Sequence, residues 1–170
     1  MKWVVDSARS SRIKNDWIKY WFNATMTRMM NGATIRFVID TNVLFEGLTT
    51  KKSTSSLLVD AWYAELFQAH VTTTLAYEYV DVLSRKLSAN RWNQLKPAVG
   101  QLLQLSKLVT AHYSWRPISP DPGDDHVIDC AMNAGASVVT WNRKDFRSAK
   151  EDLGLSVLTP VDAVALLVSL

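Results

Sequence analysis

Ile35-Arg36-Phe37-Val38-Ile39-Asp40-Thr41-Asn42 is the stretch from which this chain is best read. Residues 35–39 are mostly β-branched or aromatic, which predicts a short strand buried on both faces. A carboxylate, Asp40, follows at once. Strands of this kind belong to a parallel sheet covered by helices, and the rest of the chain keeps that rhythm. Residues 55–68 predict a helix with Leu57, Leu58, Ala61, Trp62 and Leu66 on its apolar side and Ser53 or Thr54 as cap. Val71-Thr72-Thr73 predicts a brief strand, and residues 75–86 a second helix. Residues 91–108 are helical in pattern, with Pro97 as a kink or the first turn of a fresh helix. A third strand over 108–113 precedes a Pro-rich loop, 114–123. Residues 124–134 predict a helix stopped by Gly135, and 136–140 and 155–158 supply two more strands. Thr159-Pro160 then opens a last helix over 161–167. The expected class is α/β, a five-stranded parallel sheet with helices on both faces.

The chain has 170 residues, 48% of them apolar, enough for one domain that buries about two-thirds of its unfolded surface. A charged fraction of 21% and ordinary Gly and Pro content exclude a disordered or collagen-like chain. The single cysteine, Cys130, excludes a disulfide framework and a cysteine-based zinc site. No apolar run approaches the ~18 residues of a membrane span. The cationic N-terminus lacks the apolar core of a signal peptide. A cytoplasmic domain is therefore expected.

The net charge of +3 is unevenly placed. Residues 1–33 hold six basic and two acidic residues, whereas 34–170 hold thirteen basic and fourteen acidic ones. The expected organisation is an N-terminal extension, 1–33, before a domain spanning 34–170. In the extension, Trp17, Ile18, Trp21, Phe22, Met26, Met29 and Met30 recur at steps of three and four, the pattern of an amphipathic helix. Such a helix suits packing on the body or on a partner subunit, or lying on a membrane surface. A loosely ordered extension, or translation starting at Met26, Met29 or Met30, is the other reading.

Ligands of an open parallel sheet bind beyond the carboxyl ends of its strands, near the point where strand order reverses. Asp40 leaves the first strand there, and Thr140-Trp141-Asn142-Arg143-Lys144-Asp145 leaves the fourth. If those strands are neighbours, Asp40 and Asp145 crowd together. Asp124, Asp125 and Asp129 lie on the helix before the fourth strand, and Glu78 on the helix after the second. Each has an ordinary alternative: Asp124 and Asp125 suit a helix N-terminus, Glu78 a solvated helix face, and Asp145 a turn before Phe146. Asp40 is harder to place as mere structure, because a carboxylate ending a buried strand needs a partner or a metal. Several converging carboxylates repel one another unless a cation joins them. An all-oxygen set suits Mg²⁺ or Mn²⁺.

Four segments together resemble the PIN-domain ribonucleases, with VapC-type toxins of toxin–antitoxin pairs as the nearest subgroup. They are Ile39-Asp40-Thr41-Asn42-Val43-Leu44, the Tyr77-Glu78-Tyr79-Val80-Asp81-Val82-Leu83 helix, residues 124–131 and residues 139–146. The resemblance runs from about residue 35 to 160. It implies a PIN-like three-layer sandwich, and Mg²⁺- or Mn²⁺-dependent cleavage of single-stranded RNA. By matching motifs it puts the catalytic, metal-holding acids on Asp40, Glu78, Asp125 and Asp145. Many relatives carry Asp where this chain has Asn142, which makes Asn142 a supporting or phosphate-contacting residue. Asp124 and Asp129 become extra carboxylates able to tune or replace a ligand. Asn42 and Thr140 are expected to hold the acids by hydrogen bonds. A homodimer and a small antitoxin are also implied.

For the RNA, the acid-free stretch between Asp81 and Asp121 offers Arg85, Lys86 and Arg91 among its bases, while Arg143 and Lys144 flank Asp145. His126 reads as a helix-surface residue. Two other classes stay open. An Asp-dependent phosphatase would use Asp40 as nucleophile, but such sites usually carry a second Asp where Asn42 stands. An inactive PIN-like module would bind RNA or protein without cutting.

Overall fold

The computed structural model describes residues 34–169, so the helix expected within 1–33 lies outside them. The order is β1 (Arg36–Ile39), α1 (Thr41–Thr49), α2 (Thr54–Tyr63), β2 (Gln68–Val71), α3 (Thr73–Lys86) and α4 (Ala89–Gln104). Then follow β3 (Lys107–Leu108), α5 (Asp125–Ala134), β4 (Ser137–Val139), α6 (Arg147–Leu153), β5 (Val157–Leu158) and α7 (Pro160–Val168). The five strands form one parallel sheet in the order β3-β2-β1-β4-β5. The fold is the expected α/β sandwich.

Phe37, Val38 and Ile39 point alternately to opposite faces, yet all three are buried, so both faces of the central strand are covered. Helix α5 packs against β1, β2 and β4, setting Ile128 and Ala131 into the core. Gly135 ends it in the left-handed region (φ 58°), where a side chain would be strained. Strand order reverses between β1 and β4, paired in register from Phe37 with Ser137 to Ile39 with Val139. The carboxyl ends of these two strands therefore open the crevice expected of such a sheet.

Several boundaries differ from the sequence expectation. The second strand lies at Gln68–Val71, not 71–73, because Thr72 caps α3: its hydroxyl accepts from the Leu75 amide. Capping outweighs the strand preference of the β-branched threonines. Helix α2 ends at Tyr63 rather than running to residue 68, because Glu65 takes the left-handed conformation (φ 54°) and turns the chain into β2. Pro97 lies inside α4 without ending it, and that helix stops at Gln104. The third strand shrinks to Lys107–Leu108. Helices α1, whose Leu44, Phe45 and Leu48 pack on the core, and α6 are further elements beyond the sequence expectation.

Candidate active site

Asp40 is the residue at which β1 becomes α1. Its backbone N–H donates to the Val139 carbonyl (2.9 Å), stitching the two central strands at their ends. One residue earlier, the buried Tyr79 hydroxyl of α3 donates to the Ile39 carbonyl, fixing that strand end from the helix side. The Asp40 carboxylate does not cap α1. Its Oδ2 instead accepts from Thr140 Oγ1 (2.5 Å) and Asn42 Nδ2 (2.7 Å). Thr140 itself accepts from the Asn142 amide (2.9 Å), so one fully buried hydroxyl links the ends of β1 and β4. Burial pushes the Asp40 carboxyl above its ordinary range. The Thr140 bond draws it down and the charge of Glu78 pushes it up again.

Glu78 reaches this edge from the second turn of α3. Its Oε2 lies 2.5 Å from His126 Nε2 of α5. The approach is off the hydrogen-bonding direction, and Thr41 Oγ1, Glu78 Oε2 and His126 Nε2 are all buried without an aligned partner. Burial alone would raise the Glu78 carboxyl, but the nearby His126 and Thr41 outweigh it and hold it below its ordinary value.

Asp124 precedes α5 but makes no capping bond. Its carboxyl is pushed up to about 7, first by burial and then by the charges of Asp40, Asp145 and Asp121. Asp145 lies across from it, where its Oδ2 accepts from the Asn142 side-chain amide and its carbonyl accepts from Ser119 Oγ (2.9 Å). Among the described residues, none of Asp40, Asp124, Asp125 and Asp145 forms an ion pair with lysine or arginine.

The structure thus brings Asp40, Glu78, Asp124 and Asp145 to one edge, with Asn42, Thr140 and Asn142 holding two of them. Asp125 is placed differently from its expected role. It is 2% exposed, and its Oδ1 accepts from the Ile118 (3.2 Å) and Ser119 (2.8 Å) amides, anchoring the loop before α5. Asp124, the neighbour expected only to support, is the one whose charge meets Asp40 and Asp145. Asp129 has another task altogether. It accepts from Ser114 Oγ (3.0 Å), the Trp115 amide (2.9 Å) and Arg116 Nε (2.8 Å), which pins the loop that follows β3.

The basic candidates also divide. Arg143 and Lys144 sit in the turn between Asn142 and Asp145, at the site. Arg85 and Lys86 lie at the far end of α3, roughly 10 Å along the helix from Glu78. There Arg85 pairs with Asp81 and Lys86 lies over the Phe45 ring, while Arg91 reaches the Leu48 carbonyl. Sequence reasoning missed His126 as a member of the site. Its place beside two aspartates was a signal, but contact with Glu78 depends on α3 packing against α5.

Among the described residues, no three His, Cys, Asp or Glu side chains stand in the arrangement of a finished metal site. The donors nevertheless fit a hard cation. The charges of Asp40 and Asp145 raise Asp124, and Glu78 Oε2 and Thr41 Oγ1 are buried without aligned partners.

A family model described as PIN domain matches residues 36–144, more than half of the chain. Among solved structures, FitAcB from Neisseria gonorrhoeae is similar at a TM-score of 0.58 and 17% identity, over 74% of this chain and 98% of that one. PAE2754 from Pyrobaculum aerophilum is similar at a TM-score of 0.55 and 13% identity, over 81% and 100%. FitAB bound to an IR36 DNA fragment gives a TM-score of 0.52 and 14% identity, over 73% and 94%. No curated protein sequence matches significantly. With the family model matching more than half of the chain, from β1 to Lys144, the chain belongs to the PIN domain family.

Proposed function

We propose that this chain is a Mg²⁺- or Mn²⁺-dependent endoribonuclease that hydrolyses single-stranded or loop RNA, acting as the cytoplasmic toxin of a toxin–antitoxin pair. The observation that carries the proposal is the mutual charge coupling of Asp40 with Glu78 and Asp124, and of Asp124 with Asp145, without a lysine or arginine counter-ion among the described residues. Membership in the PIN domain family supports it. Asp40, Glu78 and Asp145 would hold the ion, with Asp124 or Asp125 completing the set. A divalent ion, when bound, polarises a phosphate and lowers the pKa of its water.

The chain's own residues do the rest. Thr140 and Asn42 fix the orientation of Asp40, and Asn142 that of Asp145. Arg143 and Lys144, exposed at the rim, offset the charge of the RNA backbone. A small antitoxin covering this edge and a homodimer belong to the same proposal. Among the described residues no helix is long and apolar enough to cross a membrane.

A second reading, an inactive RNA-binding module, is favoured by the absence of a finished three-ligand arrangement among the described residues. One experiment separates the two. Wild-type protein and Asp40→Asn are incubated with a mixed RNA pool in Mg²⁺, in Mn²⁺ and in EDTA. The enzyme cuts only with metal, and Asp40→Asn folds normally but does not cut. Cleavage in EDTA, or full activity in Asp40→Asn, overturns the assignment. A mobility shift without cleavage under every condition selects the binding module.

A further inference from the structure

Trp141 stands between the two residues that hold the site's carboxylates, Thr140 on one side and Asn142 on the other. The residue is exposed beside the carboxyl ends of β1 and β4. Single exposed aromatics are common on protein surfaces, but this one is anchored. The indole Nε1 donates to Glu46 Oε2 (2.5 Å) and to Ser55 Oγ (3.1 Å), and the Trp141 amide approaches Asn42 Oδ1 at 3.4 Å. Ser55 is fully buried and donates its own hydroxyl to Glu46 Oε2 (2.7 Å). Two helices, α1 and α2, therefore contribute polar groups to hold one edge of the ring of a residue that stays 44% exposed. Glu46 has no lysine or arginine partner among the described residues, so this carboxylate serves the indole.

We propose that Trp141 is a stacking platform for an unpaired base next to the phosphate cleaved at this site. The inference rests on the nuclease reading above and adds what the site selects, a splayed-out nucleotide rather than a duplex step. A base offers its face only when it has left its helical stack, and a ring already held in place gives up little conformational freedom on meeting it. Arg143 and Lys144 follow directly in the chain and are exposed, placing cationic groups where the flanking phosphates of that nucleotide run. An apolar protein partner would gain nothing from these charges.

The test is binding of a short, fluorophore-labelled single-stranded RNA to Asp40→Asn protein, which leaves the strand intact. Adding Trp141→Ala weakens binding about tenfold, whereas Trp141→Phe, which keeps a ring face but loses the N–H anchor, stays within about threefold. An abasic residue is then moved along the strand. At one position it weakens binding to Asp40→Asn by about the same tenfold, and there it costs the Trp141→Ala double variant nothing. Unchanged binding in Trp141→Ala overturns the inference, as do abasic penalties identical in both proteins. If wild-type protein cuts RNA while either of these results is found, only the stacking role falls. If it neither binds nor cuts RNA, the nuclease reading falls with it.

Discussion

Asp124 shows what one side chain can reveal. Its carboxyl is held at about 7 because burial and three neighbouring aspartates oppose its charge. The unfolded chain loses that proton near pH 4, the ordinary aspartate range. Between about pH 4 and 7 the folded state therefore holds a proton that the unfolded state has released, and stability falls as pH rises through this window. Above about 7 both states are ionised and the penalty is constant. In EDTA, thermal unfolding of Asp124→Asn should lose less stability between pH 4 and 8 than the wild type, and the variant should be the more stable protein above pH 7. Parallel curves for the two proteins would show that Asp124 does not meet the charges of Asp40 and Asp145. At this scale the sequence identified the acids by type and spacing. By motif it put Asp125 in the metal-holding set and Asp124 beside it, but adjacent residues at a helix start differ in direction, and the loop amides of Ile118 and Ser119 engage Asp125.

At the scale of elements, the pairing of α1 with α2 builds the anchor beneath Trp141. A Cβ on Gly47 would lie 2.6 Å from Val59 Cγ2 and 2.7 Å from the Ser55 carbonyl, so the helices approach this closely only with glycine there. Gly47→Ala gains roughly 1 kcal/mol of helix propensity. Against that, forcing a backbone carbonyl away costs about 1–3 kcal/mol. The clash is with main chain, which cannot rotate aside, so we expect net destabilisation with a lowered Tm. Ser55 would move with it, and the Nε1 bonds of Trp141 would loosen. Thermal denaturation measures the first effect, and the near-ultraviolet circular dichroism of the indole the second. A variant as stable as wild type would mean that α2 shifts freely on α1. Helix α1 was invisible in the sequence for related reasons. It contains the glycine its neighbour requires, which lowers its helix propensity, and Asp40 at its start reads as a site acid as readily as an N-cap.

For the whole molecule, the arrangement of strands gives the acids a common edge, and stability should report whether a cation fills it. At a hundredfold excess over its dissociation constant, a ligand of the folded state adds about 2.7 kcal/mol. For a domain of this size that is roughly 5–10 °C in Tm. Mg²⁺ or Mn²⁺ should raise the Tm of the wild type by this order and leave Asp40→Asn almost unmoved; equal shifts in both proteins would place any bound cation elsewhere. Much of this molecule was legible in its sequence. The buried β-branched run of residues 35–39, the alternation of strand and helix, and a carboxylate at each expected strand or helix end are local patterns, imposed by backbone period and by the cost of burying charge. Tertiary structure alone decided which acid of an adjacent pair turns inward, that Asp129 braces a loop, that His126 meets Glu78, and that two helices converge on the indole of Trp141. Those outcomes depend on the directions of side chains from elements distant in the chain, and no spacing along one segment encodes them.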